Sequence, residues 1–409
     1  MTRSKQKHRR QVLSEAHRER ERDQGTIREL NQALDDGQDL RRLRQLAAVR
    51  GLVNSELRAR LWVKLSGADV DAVPLGAYEA AAAGAHRDST TVDCDVARSL
   101  WAFMPGASDE ERAAKRAELA RLLNAVVVHH GGDVHYYQGL HDVASVLLLV
   151  AGERAAFAIL CRLTTGPLRD ATRPTLDPVL ELLGLMGPVL EAADPELAAL
   201  SRDLGLPPYY ALSWFITWFS HDVGGLAPAA RLFDLFLAVH PLMPLYVGAV
   251  AMRSQRAALL EAGRGEGGMP GLHTALNNLD VVRAMSADAL ACAAVTLFQE
   301  ARPEALLARR ALRMEMAVAP RAFRDRAGGG AWRVPEPSRR APVGRAGGKP
   351  PQGGLLQQSL AKLLLPGARE APPSAVFLSL GLYTAVAAAA WIVMRLQLEA
   401  GGAGTLPWG

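Results

Sequence analysis

Two short strings hold the side chains best suited to chemistry on an anion: Val92-Asp93-Cys94-Asp95-Val96-Ala97-Arg98 and Tyr136-Tyr137-Gln138-Gly139. A guanidinium keeps its charge at any working pH and offers a planar fork of donors, so it can steady negative charge spread over several oxygens. Asp95 sits three residues before Arg98, where on a helix or tight turn its carboxylate could hold the guanidinium ready. A carboxamide such as that of Gln138 both accepts and donates, which suits it to orienting a water without taking its proton. Neither residue is diagnostic alone. An isolated arginine is usually a solvated or ion-paired surface residue, and an isolated glutamine a loop or cap amide. A rival cluster, His129, His130, His135 and His141 with Asp133 and Asp142, contains natural zinc or iron ligands. Its spacing is poor: adjacent His129 and His130 diverge on a helix, and no H-E-x-x-H pair exists, so no metal site is expected.

The elements that must position these groups read as helices. Apolar residues recur at three and four positions between about Thr26 and Arg302, as in Leu30 and Leu34, Leu40 and Leu43, then Leu119, Leu122, Leu123, Val126 and Val127. Breaks fall at Gly131-Gly132, Asp177-Pro178, Asp194-Pro195, Pro207-Pro208 and Gly224-Gly225. The pattern yields roughly a dozen helices, no convincing strand and no fixed repeat. An all-α fold with one large helical domain is expected. The aromatic run from Trp214 to Phe219 is most simply core.

The chain has 409 residues, 49% of them hydrophobic and 22% charged, which excludes disorder as its dominant state. Its net charge of +5 is concentrated before about residue 26 and between Arg302 and Lys349. Such runs attract anionic membrane or nucleic acid, or are simply solvated; no nucleic-acid motif is present, so no such partner is expected. Cys94, Cys161 and Cys292 form no CxxC pair, which argues against a disulfide framework or structural zinc and fits a reducing cytosol. The charged N-terminal stretch lacks the apolar core of a secretory signal.

Residues 327–354 are rich in Gly, Pro and Arg and read as a flexible tether. Leu355 to Leu365 reads as a membrane-surface helix or a loose linker. Ser374 to Met394 then runs 21 residues without a charge, enough for a helix to cross a hydrocarbon core of roughly 30 Å. The alternative is a buried core helix, since six of those residues are alanine. Pro372-Pro373 breaks the chain before the segment, and Trp391 suits an interfacial anchor. Basic residues upstream outnumber Arg395 beyond it, which puts the bulk of the chain on the cytosolic side.

Three strings occur in a telling order: Arg58-Ala59-Arg60-Leu61-Trp62, then Val92 to Arg98, then Tyr136-Tyr137-Gln138. Here the chain resembles the TBC domain of Rab GTPase-activating proteins, whose fingerprint is R-x-x-x-W, I-x-x-D-x-x-R and Y-x-Q, with Val92 a mild change from Ile. Gly139-Leu140-His141-Asp142, Ser213 to Phe219 and Arg231 to Phe236 agree with the family as well. His135 to Gly139, Ala211 to Phe219 and His240 to Pro244, with the apolar C-terminal segment, narrow the resemblance to a member that carries a membrane helix.

The resemblance implies a division into a basic N-terminal tail (1–26), a Rab-GAP TBC domain (27–302), a basic Gly/Pro-rich linker (303–370), a transmembrane tail anchor (374–394) and a short lumenal tail (395–409). It implies that Arg98 is an arginine finger and Gln138 a water-positioning glutamine, both inserted into a GTP-bound Rab-family GTPase. Asp95, Tyr136, Tyr137, Gly139 and Asp142 then support the pair, and Arg58 and Trp62 are structural. The chain needs no cofactor of its own, because GTP and Mg belong to the partner GTPase. The narrower resemblance points to early secretory traffic and the endoplasmic reticulum membrane. The competing expectation is a TBC scaffold that binds a Rab, or another partner, without accelerating hydrolysis.

Overall fold

The computed structural model describes residues 20–35, 39–310, 316–324 and 331–332. Helices begin where a side chain can take over the N–H groups that the first turn leaves unpaired. Helix α1 (residues 20–35) buries Thr26, Leu30 and Ala33. The Asp39 carboxylate caps α2 (Leu40–Arg50), accepting from Arg42 N at 3.0 Å, and Asn54 caps α3 (Ser55–Ser66), accepting from Leu57 N at 2.9 Å. After α4 (Leu75–Ala82) and α5 (Ser89–Ala97), helix α6 (Asp109–His129) opens on a reciprocal pair: Ser108 Oγ accepts from Glu111 N, and the Glu111 carboxylate accepts from Ser108 N. Gly152, at φ +80°, separates α7 (Leu140–Ala151) from α8 (Glu153–Thr165).

The Asp-Pro pairs open α9 (Asp177–Leu183) and α11 (Pro195–Asp203), with α10 (Met186–Ala193) between them. Proline is tolerated there because its missing N–H falls in the unpaired first turn. A 3-10 turn, Pro208–Ala211, leads into α12 (Leu212–Ile216), and Gly224-Gly225 precedes α13 (Leu226–Ala238). The helical series ends with α14 (Met243–Ser254), α15 (Arg256–Arg264), α16 (Gly268–Asn277), α17 (Ala287–Glu300), α18 (Pro303–Arg310) and the single turn Ala319–Ala322.

Helices α13 and α14 are apolar on nearly every side, and the fold buries them accordingly: every residue from Met243 to Met252 is buried, as is every residue from Ala229 to Ala238. Helix α13 joins two groups of helices, packing on α2, α3 and α7 and also on α17; α14 packs on α10 and α17. On the N-terminal side α6 lies against α4, α5, α7 and α8. The site is built in this N-terminal group.

The packed body is longer than composition suggests. Helix α1 crosses the expected boundary at residue 26, and beyond residue 302 both α18 and residues 316–319 lie on the domain. Residues 316–319 are held by a pair of carboxylates that composition does not reveal. Glu181 accepts from Met316 N and Ala317 N, and buried Asp170 accepts from Val318 N and Ala319 N. Among the described residues the one strand pairing is Phe323–Arg324 with Ala331–Trp332, antiparallel and two residues long. No described helix is long and apolar enough to cross a membrane. The proposed anchor at 374–394, the greater part of the linker and the tail at 395–409 lie outside the described residues.

Candidate functional site

Arg98 caps the C-terminus of α5, directly after Ala97, with its N–H donating to Val96 O and its side chain 47% exposed. A cation at a helix C-terminus is favoured by the dipole. Its guanidinium pairs with Asp95, one turn back on α5 and 2% exposed. The second oxygen of Asp95 accepts from the Tyr136 hydroxyl at 2.7 Å and lies 3.4 Å from His141 Nδ1. One carboxylate thus joins the Arg98 string to the Tyr-Tyr-Gln-Gly string. Just past Arg98 the chain turns through Leu100 at φ +70°, a left-handed conformation that costs a branched residue energy and is common where geometry is imposed by function.

The loop before α7 is held at four points. His135 N donates to Thr172 O at 2.9 Å, and Tyr136 N to Asp88 Oδ2 at 3.1 Å. The Tyr136 hydroxyl is the tie to Asp95, and the Tyr137 hydroxyl donates to Ile216 O at 2.8 Å. Gln138 follows directly, partly exposed, and its carboxamide makes no hydrogen bond to a described residue. Behind the loop the segment from Trp214 to Phe219 is buried throughout, with Trp218 against Phe233 (5.3 Å) and Phe236 (5.5 Å). Trp218 and Phe219 both take positive φ, so this support carries strain as well as packing.

Gly139 caps α7 at φ +116°, and a Cβ there would stand 3.0 Å from Thr217 Cγ2. Both the conformation and the space demand glycine. Gly139→Ala is expected to destabilise the domain by ~1–3 kcal/mol, read by denaturant unfolding. An unchanged midpoint would show that the loop does not need this backbone.

Asp142, in the first turn of α7, lies between two imidazoles. Its Oδ1 is 3.5 Å from His141 Nε2 and its Oδ2 is 3.5 Å from His221 Nδ1. Burial pushes the Asp142 carboxyl up, but His141, His221 and Arg98 together outweigh it and hold it below the ordinary carboxylate value. Burial also pushes His221 down, yet the adjacent Asp142 carboxylate and the charge of Asp222 lift it to about 8, against an opposing push from Arg98. Burial raises Asp222 to about 6, with His221 and the Ser213 hydroxyl pulling the other way. A partly buried His221 at neutral pH is therefore a cation in a carboxylate pair.

Arg58 and Trp62 have one partner in common. The Arg58 Nε lies 3.1 Å from both oxygens of Asp234 and its Nη2 3.0 Å from Oδ2. Trp62 Nε1 donates to Asp234 Oδ1 at 2.8 Å, and Leu52 N to Oδ2 at 2.9 Å. Asp234 is fully buried on α13, so the R-x-x-x-W string is the clamp between α3 and α13. Arg231, one turn earlier, donates to Ala47 O, Ala48 O and Val49 O at the end of α2 and pairs with Asp288 at 2.5 Å. These residues hold the body together and stand apart from the Arg98 network.

The histidines disperse. The rings of His129 and His130 pack edge to face at 5.1 Å, while His141 joins Asp95, Tyr136 and Asp142. Among the described residues no group of three or more His, Cys, Asp and Glu side chains could hold a metal ion. Asp88, His221 and Asp234 are the contributors that the strings did not assign. An aspartate inside the apolar run Arg231-Leu232-Phe233-Asp234-Leu235-Phe236 is a legible signal, since a buried carboxylate requires partners. No local pattern marks His221.

Residues 55–260 match the Rab-GTPase-TBC domain. The chain is 35% identical over 238 residues to TBC1 domain family member 20 of Homo sapiens, covering 58% of each chain. It is 32% identical over 229 residues to the GTPase-activating protein gyp10 of Schizosaccharomyces pombe, covering 56% of this chain and 61% of that one. The matches thus span less than two thirds of these relatives. The crystal structure of the Chlamydomonas flagellar RabGAP TBC domain is similar in fold, with a TM-score of 0.50 at 18% identity, covering 72% of this chain and 96% of that one. With the three strings in order, an all-helical body and the match across residues 55–260, the chain belongs to the Rab-GTPase-TBC domain family.

Proposed function

We propose that the chain is a GTPase activator that inserts Arg98 and Gln138 into the nucleotide site of a GTP-bound Rab-family GTPase. The observation that carries this reading is the Asp95 carboxylate, which holds the Arg98 guanidinium and accepts from Tyr136 of the glutamine loop at 2.7 Å. Both side chains needed for the reaction are thereby mounted on one hydrogen-bonded unit, with Arg98 half exposed and the Gln138 carboxamide making no hydrogen bond to a described residue. Phosphoryl transfer gathers charge on equatorial oxygens, where a guanidinium acts, and needs an aligned water, where a carboxamide acts. GTP and its Mg are the partner's; this chain supplies only the guanidinium and the amide.

The proposal includes a membrane setting. The uncharged run 374–394 supports an anchor with the domain on the cytosolic side, and the narrower family resemblance supports the endoplasmic reticulum membrane in early secretory traffic. The match to the Rab-GTPase-TBC domain supports a Rab as the partner class, and gyp10, a GTPase-activating protein by name, supports activation.

Single-turnover GTP hydrolysis on a panel of purified Rabs tests the reading. At least one Rab should be accelerated, and Gln138→Ala should lose about 10²-fold or more of that rate while still binding the GTP-bound Rab. Binding without acceleration by the unaltered protein would select the scaffold instead.

A further inference from the structure

We propose that His221 is a positioning residue for Arg98: by pairing with Asp142 it keeps that carboxylate from drawing the guanidinium away from Asp95. The inference rests on the reading of Arg98 as the residue that enters a GTPase. Its basis is a chain of contacts that runs from Arg98 through Asp95, His141 and Asp142 to His221. Two largely buried carboxylates, Asp95 on α5 and Asp142 on α7, flank His141, whose Nδ1 is 3.4 Å from Asp95 and whose Nε2 is 3.5 Å from Asp142. Arg98 pairs with Asp95, and Asp142, one imidazole further on, is a second carboxylate whose field reaches the guanidinium.

His221 stands at the other oxygen of Asp142, with Nδ1 3.5 Å from Asp142 Oδ2 and its side chain 28% exposed. Among the groups whose charge reaches His221 are Asp142 from α7, Asp222 from its own turn and Arg98 from the end of α5; Asp222 is itself held by Ser213 Oγ at 3.0 Å. Arg98 lowers the proton affinity of both Asp142 and His221, so its guanidinium shares their electrostatic neighbourhood. With His221 uncharged, Asp142 would pull that guanidinium inward more strongly, away from where a partner's phosphates would lie. His221 lifted to about 8 is charged at neutral pH and loses its charge above that value.

The test is single-turnover hydrolysis on the responsive Rab with the unaltered protein, Arg98→Ala and His221→Asn, between about pH 7 and about pH 9. The unaltered protein should lose stimulation as pH rises through about 8. At neutral pH His221→Asn should lose about ten- to a hundredfold in maximal rate, with an unchanged half-saturating concentration and no further fall at high pH. If His221→Asn keeps the rate and pH profile of the unaltered protein while Arg98→Ala is inactive, the inference is overturned and the activator reading stands. If the unaltered protein stimulates no Rab, the activator reading fails. The inference is then decided by side-chain NMR of the unaltered full chain, which requires neither a GTPase nor a folded variant. The Arg98 Nε resonance should shift together with the His221 ring resonances; an Arg98 signal that stays flat while His221 titrates overturns it.

Discussion

Arg98→Ala is expected to reduce Rab GTPase stimulation by about 10³- to 10⁵-fold, equivalent to roughly 4–7 kcal/mol of transition-state stabilisation. The loss should be in rate and not in stability. The side chain is 47% exposed at the end of α5, and its removal uncovers a carboxylate that still accepts from Tyr136 and lies beside His141. Arg98→Lys should recover little, because an ammonium keeps the charge but not the planar fork that spans several oxygens. Thermal unfolding should separate rate loss from misfolding. A variant that melts with the unaltered protein yet is inactive fits the account, whereas one that retains activity removes Arg98 from the chemistry.

Asp234→Ala is expected to be the most damaging single change to the fold, at ~3–5 kcal/mol. The buried carboxylate is the shared acceptor for Arg58, Trp62 Nε1 and Leu52 N, so its loss strands a largely buried guanidinium, an indole N–H and a backbone N–H together. The three donors come from α3 and the turn before it, while the acceptor is on α13, so the clamp between these helices opens. Replacing the donors as well should recover part of the loss, because the penalty lies in leaving partners unpaired; Asp234→Leu combined with Arg58→Met should be less destabilised than the sum of the two changes. Denaturant unfolding measures both. An Asp234→Ala protein within about 1 kcal/mol of the unaltered one would contradict the clamp.

Local signals were legible where one residue decides an outcome. Asp177-Pro178 and Asp194-Pro195 mark helix starts, Gly139 marks the entry to α7, and the run from Trp214 to Phe219 is core, each for reasons contained within a few residues. Asp95 as the partner of Arg98 was legible for the same reason, since the pair is one helical turn apart. Contacts closed by the fold were not. Asp234 meets Leu52 across 182 positions, and Tyr136 meets Asp95 across 41. The pairing of His221 with Asp142 joins the turn after the aromatic run to the start of α7, a contact no periodicity encodes. Residues 316–319 were hidden by composition: a basic stretch reads as solvated, yet its backbone N–H groups are held by Glu181 and Asp170.

The claim that these two side chains act jointly on a transition state is tested most directly by affinity for a transition-state mimic. The dissociation constant of the chain should be measured for the responsive Rab bound to GDP, with and without a planar metal-fluoride group in the phosphoryl position. The account predicts about 10²-fold or greater tightening with the mimic, lost in both Arg98→Ala and Gln138→Ala. Equal affinity for the two nucleotide states in the unaltered protein would contradict it.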